Sequence, residues 1–313
     1  MAVVRVVMMQ RDEGAALLRW LMHYTVLFSP QNITIFDNGS EDPYTLSILK
    51  EAARLGVCVR YDLNTPHDFQ HKGAHFTNVF LDWDQRGGYD FGLPVDCDEI
   101  LGVFTPGGLS FLPDDINGAF QTLKISGQSG GFRIQSSLFN VPGASGWYSP
   151  VDSFHKGFVS AQIKAMCDNG HHEPKSSLNN DIFGTCFTYL HEHNVDYDTW
   201  RFRLKRKLRG LVDGDDPVEL RRYLQTESVE GAHAAESLLL SEKEYHSRYD
   251  DSLRLYVGDR TTEKIVLEGP SLPPTFWDGD AYRARHTDVA TSYELGSLQH
   301  YLRHGFKEGR PLR

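Results

Sequence analysis

Short apolar runs alternate with amphipathic segments through the first hundred residues of the chain. Four runs have the length and apolar content of strands buried in a parallel sheet: residues 3–8, 32–36, 57–61 and 89–95. The segments between them place apolar side chains at helical spacing, as Leu17, Leu21, Tyr24 and Phe28 do. This alternation predicts an α/β sheet with right-handed connections and a ligand site at the carboxyl ends of its strands.

The regular alternation ends after Phe104. Residues 105–190 are rich in glycine, serine, proline and aromatic residues, which predicts a smaller mixed sheet with long loops. Residues 198–210 carry six cationic side chains with apolar residues between them. This pattern is typical of a solvated helix, and the functional alternative is a basic lid over a diphosphate. We predict a domain at 1–212 with halves at 1–104 and 105–212, a helical and strand extension at 213–270, and a helical module at 271–313.

The composition is that of an ordinary soluble protein, with 313 residues, 40% hydrophobic and 24% charged. No stretch approaches the roughly 20 apolar residues of a spanning helix, and the apolar amino terminus runs into Asp12 and Glu13 without a cleavage site. The four cysteines form no C-x-x-C pair, which favours reduced thiols. We therefore expect a cytoplasmic protein, with peripheral membrane contact left open. The net charge of −10 argues against nucleic acid as a partner.

Acidic residues follow three of the four predicted strands: Asp12 and Glu13 follow the first, Asp37 the second, and Asp96 with Asp98 the fourth. In an extended chain, residues i and i+2 face the same side, so both carboxylates would face one site while Cys97 points inward. Such a pair suits a hard divalent cation that completes its shell with water and substrate phosphates. An Asp-x-Asp taken alone is more often a pair of solvated acids at a strand end.

Three short motifs gain weight from their order and spacing. They are Gln10-Arg11-Asp12-Glu13, Phe36-Asp37-Asn38-Gly39-Ser40 and Asp96-Cys97-Asp98-Glu99. They resemble the K-N-E, D-N-G-S and D-x-D-E motifs of bacterial family-2-like glycosyltransferases of the GT-A type. The resemblance implies a Rossmann-like GT-A domain with a mostly parallel central sheet, a smaller mixed acceptor-side region and a C-terminal helical appendage. It also implies metal-dependent, inverting transfer from a nucleotide-diphosphate sugar, with a UDP-sugar as first candidate, to a saccharide or glycolipid.

The resemblance also implies roles for individual residues. The metal, Mn²⁺ or Mg²⁺, would be held by Asp98, with Asp96 shared between the metal and the ribose. His193 is a candidate for a further ligand on chemical grounds, because a neutral imidazole binds manganese. The other implied nucleotide-sugar contacts are Arg11, Glu13, Asp37, Asn38, Asn78, Lys156, Lys205 and Arg209. A tyrosine that follows the family histidine is replaced here by Asn194. His191 and His193 together also leave a zinc site open.

The acceptor base is a separate expectation, because a carboxylate near the acceptor must take its proton for inversion. Their positions after the Asp-x-Asp make Glu173 and Asp181 the candidates. Without a base, a retaining mechanism would remain open.

Two other functions compete with glycosyl transfer. A nucleotidyltransferase shares the α/β sheet and the metal-binding acids, but it usually needs a basic, glycine-rich loop after the first strand. The corresponding loop here, QRDEG, is acidic and has one glycine. The other alternative is a non-catalytic protein that binds a nucleotide sugar or a glycan on a degenerate transferase scaffold.

Overall fold

The computed structural model describes residues 1–151, 155–226, 231–258, 264–290 and 296–313. The strands in this part of the chain are β1 (Val4–Gln10), β2 (Ile33–Asp37), β3 (Cys58–Arg60), β4 (Phe91–Pro94), β5 (Glu99–Thr105), β6 (Gly108–Ser110), β7 (Gly131–Ile134), β8 (Ser136–Asn140), β9 (Trp147–Val151), β10 (Lys156–Ser160), β11 (Ala165–Met166), β12 (Lys175–Ser176), β13 (Ile182–Gly184), β14 (Phe187–His191), β15 (Arg254–Tyr256), β16 (Val266–Gly269) and β17 (Leu272–Phe276).

The helices are α1 (Gly14–Phe28), α2 (Pro43–Arg54), α3 (Pro66–Gln70), α4 (Lys72–Arg86), α5 (Pro113–Ser126), α6 (Tyr197–Lys207), α7 (Pro217–Leu224), α8 (Ala232–Leu238), α9 (Glu242–Ser247), α10 (Gly279–Arg285), α11 (Thr287–Ala290) and α12 (Ser297–His300). A 3₁₀ turn at Pro30–Asn32 precedes β2, and a π-helical turn at Tyr301–Gly305 follows α12.

The first sheet has seven strands in the order β13-β7-β10-β4-β1-β2-β3. Strand β1 is parallel to both β2 and β4, and β2 is parallel to β3. The predicted α/β class with parallel strands in the first half is therefore confirmed. Because β1, β2 and β4 run the same way, their carboxyl ends meet at one edge, where Gln10 lies opposite Asp37. Strand β10 runs antiparallel to both of its neighbours, β4 and β7.

Burial explains why this half follows its hydrophobic pattern. The four apolar positions predicted for α1, Leu17, Leu21, Tyr24 and Phe28, are all buried against the sheet. Strand β3 is shorter than predicted and mostly exposed, because it forms the edge of the sheet. Its cysteine, Cys58, is accordingly exposed and does not lie in the core.

The second sheet differs from the expected smaller mixed region. It has eight strands in the order β17-β16-β15-β9-β8-β14-β5-β6, so it is larger than the first sheet. Strands β15 to β17, which belong to the predicted extension and tail, pair into this sheet through β9. The C-terminal residues Tyr282, Leu298 and Tyr301 are buried in the same core. The domain boundaries at 212 and 270 remain predictions.

Helix α6 and the three helices that follow it enclose a small core of their own. Trp200, Leu204 and Leu208 form the buried stripe of the α6 segment, and Tyr245 of α9 is fully buried against them. The apolar residues that alternate with cations in this segment therefore anchor it, and the cations lie on its other faces. Among the described helices, none has the length and apolar character needed to cross a membrane.

Candidate active site

The two aspartates of the Asp-x-Asp lie in the turn that joins the two sheets. Strand β4 of the first sheet ends at Pro94, and β5 of the second sheet begins at Glu99. The Glu99 N–H donates to the Asp96 carbonyl over 3.2 Å, which closes the turn. The predicted extended conformation is therefore wrong, although Cys97 is buried as expected. Because the chain turns here, Asp96 and Asp98 bind different partners.

Asp96 is held between two lysines. Lys72 Nζ donates to Oδ1 over 2.6 Å, and Lys156 Nζ donates to Oδ2 over 2.8 Å. Lys156 also lies 2.9 Å from the fully buried Glu99 carboxylate. Burial opposes ionisation of Asp96, but the two ammonium groups outweigh it and hold the pKa of Asp96 well below its usual range. Both Asp96 oxygens are thus occupied by cations, so a direct role as metal ligand has no support in this arrangement.

Lys72 was not recognised as a site residue from the sequence, although a signal for it exists. It occupies the first turn of α4, on the face that carries the buried Phe76, Val79 and Phe80. A lysine in an apolar stripe needs a buried counter-charge, and Asp96 provides it. Lys156, predicted to contact the nucleotide, belongs to the same buried network, and Glu99 raises the pKa of its ammonium against the effect of burial.

Asp98 faces two histidines from β14 and the residues just after it. The Glu192 N–H donates to the Asp98 carbonyl over 2.8 Å, so the chain remains paired at this point. His191 and His193, two residues apart on an extended segment, both turn toward the Asp98 carboxylate. His191 Nε2 lies 3.3 Å from Oδ2, and His193 Nδ1 lies 4.0 Å from it.

The two imidazoles differ in their protonation. Burial opposes the charged form of His191, but the Asp98 carboxylate outweighs it and raises the pKa of His191. Desolvation by the surrounding protein lowers the pKa of His193 to about 4 although 47% of its side chain is exposed, and the neighbouring His191 acts in the same direction. Burial would raise the pKa of Asp98, yet the two histidines hold it well below its usual range. At neutral pH this leaves an ionised carboxylate beside a neutral His193, which are the protonation states a metal requires.

The residues around Asp98 fit a divalent transition-metal ion. One ligand atom from each of Asp98, His191 and His193 lies within 4.8 Å of the other two, and no other group of three potential ligands in the described ranges is this close. A carboxylate with two imidazoles suits manganese, iron or zinc better than magnesium. The predicted pair of Asp98 and His193 is thus brought together, His191 joins it, and Asp96 does not.

The residues of the second motif are bound to the protein itself. Asp37 is buried and accepts from Gln10 Nε2 over 2.6 Å and from the Ser40 hydroxyl over 2.5 Å. The Asn38 amide donates to the carbonyls of Leu63 and Thr65, both over 2.8 Å. These bonds fold the loop after β2. The side chains of Asp37 and Asn38 therefore hydrogen-bond within the protein and stabilise the loop. Their assignment as nucleotide contacts stays a prediction.

Other predicted nucleotide contacts differ in their exposure and in their partners. Arg11 is half exposed and lies 3.7 Å from Asp12 and 3.6 Å from Glu41. Asn78 is on the exposed face of α4. Glu13 lies close enough to the cluster to feel the charge of Asp98. Burial raises the pKa of Glu13, the Arg203 guanidinium opposes this rise, and the Asp98 carboxylate adds to it.

Helix α6 presents a different set of cations to the site from the one predicted. Lys205 pairs with Asp215, and Arg209 is exposed beyond the end of the helix. On the opposite flank of the buried stripe, Arg203 lies 3.6 Å from Glu13. Lys207 also lies on this flank, close enough to Lys72 and Asp98 to feel their charges, and burial lowers its pKa. The helix was recognised from the sequence, but its functional face was not, because that depends on packing against α7–α9.

The two candidate bases do not join this cluster. Glu173 is exposed and lies 3.3 Å from Lys175. Asp181 is also exposed, and its backbone carbonyl accepts from the Gly131 N–H over 2.9 Å. In the described part of the chain, neither side chain forms an ion pair or hydrogen bond with Asp98, His191 or His193, so the two assignments stay predictions.

Gly73 sets how closely α4 approaches the loop at 167–169. A Cβ at this position would lie 2.6 Å from the Cys167 carbonyl oxygen and 2.7 Å from the Asp168 carbonyl carbon, distances that backbone atoms cannot accommodate. We therefore expect Gly73→Ala to lower the free energy of unfolding by about 1–3 kcal/mol in urea denaturation. Gly118→Ala is the control, because a Cβ there meets nothing within 4 Å. Because Gly118 lies in the middle of α5, Gly118→Ala is expected to raise the free energy of unfolding by about 0.5–1 kcal/mol. Equal effects of the two changes would contradict this account of Gly73.

No family model and no curated protein matches the sequence. Among solved structures, the chain is similar to a crystal structure of S. aureus TarS 1–349, with 13% identity, a TM-score of 0.36, and coverage of 79% of this chain and 72% of that one. A second S. aureus TarS structure has 11% identity and a TM-score of 0.36, covering 88% of this chain and 60% of its own. At such values a shared fold is not established.

Proposed function

We propose that this protein is a metal-dependent glycosyltransferase of the GT-A type that moves a sugar from a nucleotide-diphosphate sugar to a saccharide or glycolipid acceptor. The observation that carries the proposal is the group of Asp98, His191 and His193. Asp98 lies in the turn between the two sheets, and the two histidines reach it from the end of β14. This turn follows β4, at the sheet edge where β1 and β2 also end. Ligands of open α/β sheets bind at this edge.

The ligand set supports a catalytic metal ion. Three protein ligands leave coordination positions open for substrate oxygens, as a site that must bind a diphosphate requires. When bound, a divalent ion would act as a Lewis acid toward the charge that develops on the departing diphosphate. The two imidazoles favour Mn²⁺ over Mg²⁺. To serve as a metal ligand, His191 would give up the proton on the ring nitrogen that faces Asp98. Its present pairing with Asp98 holds the ring in position.

The surrounding cations support an anionic leaving group. Arg203 and Lys207 of α6 approach the cluster from one side, and Lys72 approaches from the start of α4. With a net charge of −10, the protein as a whole repels anions, so cationic side chains gathered at one site are informative, even though Asp96 and Glu13 pair with two of them. Preorganised positive groups around a departing diphosphate are the largest expected contribution to the rate of glycosyl transfer. The basic helix thus serves as the proposed lid over the diphosphate, through residues other than those predicted.

A ligand screen tests this function. Thermal unfolding of the full chain is followed with UDP, GDP, CMP and their sugars, each with Mn²⁺ or with EDTA. We expect one nucleotide class to raise the midpoint temperature only when Mn²⁺ is present, because the diphosphate needs the metal. The nucleotide sugar that stabilises the protein is then incubated with glycan acceptors, and released nucleoside diphosphate is measured. Stabilisation without release would favour the binding-protein alternative, and no stabilisation by any nucleotide would contradict the proposal.

A further inference from the structure

A cavity of about 600 Å³ opens beside Lys72, the lysine that donates to Asp96 Oδ1. It lies between the start of α4 and the end of α6, and it is lined by Phe69, Gln70, His71, Lys72, Asn169 and Lys207. Among the described residues no carboxylate lines it, and two of the six lining side chains are lysines. A cavity with this lining attracts an anionic group, and the amides and the Phe69 ring add hydrogen-bonding and apolar surface.

Lys72 is shared between this cavity and the buried network. Its ammonium donates to Asp96 Oδ1 over 2.6 Å, yet the side chain also lines the cavity and lies over the Phe69 ring at 5.4 Å. A four-carbon side chain can turn its ammonium from the carboxylate to an anion in the cavity. Such a turn would take the lysine donor from Asp96 Oδ1, which is costly for a carboxylate whose side chain is only 24% exposed.

His171 is placed to remove this cost. Its ring is buried, stacks on Phe76 at 5.0 Å, and holds Nε2 at 3.8 Å from the same Oδ1 atom. That distance is too long for a hydrogen bond. Within the described ranges, neither ring nitrogen has any hydrogen-bond partner. The backbone of His171 also has a positive φ of 55°, which is uncommon for residues other than glycine. A buried imidazole whose two ring nitrogens have no hydrogen-bond partner in the described ranges calls for an explanation in a second state of the site.

We propose that the cavity binds an anionic group of a substrate through Lys72 and Lys207, and that His171 then replaces Lys72 as the hydrogen-bond donor to Asp96. A shift of about 1 Å brings His171 Nε2 to hydrogen-bonding distance. The neutral imidazole donates its single N–H as a hydrogen bond, so no proton is transferred. His171 acts here as a positioning residue, and Lys72 and Lys207 contact the anion. The inference rests on the proposed function only for the identity of the substrate.

Inorganic pyrophosphate in EDTA probes the lysines without the metal. Titration calorimetry on the full chain compares wild type, Lys207→Gln and Lys50→Gln, where Lys50 is an exposed residue of α2 that makes the same change of charge. We expect Lys207→Gln to weaken binding by about tenfold, since it removes a charge-assisted contact, and Lys50→Gln to change it by less than about twofold. No binding to wild type, or equal weakening in both variants, overturns the proposal.

His171→Phe tests the exchange of donors and keeps the stacked ring. Without an anion we expect its melting temperature to match or exceed that of wild type, because two unpaired buried nitrogens are removed. The gain in melting temperature on adding pyrophosphate should be smaller than in wild type. An equal gain would refute the role of His171. If His171→Phe fails to fold, the same comparison is made with His171→Gln, which keeps an N–H donor and should retain most of the gain; loss of the whole gain would then count against the proposal.

Competition identifies the substrate that carries the anion. With Mn²⁺ present, pyrophosphate displaced by a nucleoside diphosphate would assign the cavity to the donor, and simultaneous binding of both would assign it to an anionic acceptor. Either result supports an anion site. A protein that releases nucleotide from a nucleotide sugar but shows no pyrophosphate binding would refute this inference alone and leave the proposed function standing.

Discussion

Asp98→Asn is expected to lower the rate of sugar transfer by on the order of 10³-fold, which corresponds to several kcal/mol of transition-state stabilisation. The change keeps the size of the side chain but removes the charge that draws a divalent ion to His191 and His193. Affinity for Mn²⁺, measured by calorimetry, should fall with the activity. The fold should persist, because the backbone of residue 98 still accepts from the Glu192 N–H.

Asp82→Asn is the matched control for this prediction. Asp82 lies on the exposed side of α4 and pairs with Arg86 over 2.9 Å, so it carries the same charge outside the cluster. We expect it to leave both the transfer rate and the Mn²⁺ affinity within about twofold of wild type, as surface ion pairs contribute little. If Asp98→Asn retained Mn²⁺-dependent transfer at the wild-type rate, the metal site would lie elsewhere.

Lys156→Met is expected to reduce the free energy of unfolding by about 3–5 kcal/mol, the typical cost of removing one partner from a buried ion pair. Lys156 is almost completely buried, and its ammonium neutralises both Asp96 and the fully buried Glu99. Removing it leaves the Glu99 carboxylate without a counter-charge. Urea denaturation monitored by circular dichroism measures the loss.

A second substitution tests the cause of that loss. In Lys156→Met/Glu99→Gln the buried carboxylate is neutral, and residue 99 can still accept from the Asp96 N–H, as Glu99 does over 2.9 Å. We expect the double variant to be more stable than Lys156→Met alone. If the double variant lost as much stability as Lys156→Met and Glu99→Gln lose together when each is measured alone, the charge of Glu99 would not be the reason for the destabilisation.

The first half of the fold follows from local pattern, because its strands and helices alternate along the chain. The apolar positions of α1 and the acids at the ends of β2 and β4 could be recognised without coordinates. The second sheet could not be predicted in this way. It pairs β15 with β9 and β14 with β5, strands that are far apart in sequence, and short apolar runs do not specify such partners.

The candidate site was predicted least well where side chains choose between partners. Asp96 and Asp98 look equivalent in the sequence, but the turn at Cys97 gives one to two lysines and the other to two histidines. Helix α6 was recognised by its charges, whereas the flank that faces Glu13 depends on which residues pack against α7–α9. In both cases the local pattern identified the segment, and packing over long range decided the contacts.

Pulsed electron paramagnetic resonance of bound Mn²⁺ tests the central claim most directly. The measurement is made on the full chain with Mn²⁺ and UDP, or with whichever nucleoside diphosphate stabilises the protein. We predict ¹⁴N couplings from two imidazoles together with ³¹P couplings from the diphosphate, and loss of one nitrogen coupling in His191→Phe. Bound Mn²⁺ without nitrogen coupling, or with unchanged couplings in that variant, would contradict the assignment of Asp98, His191 and His193 as the metal site of a nucleotide-sugar enzyme.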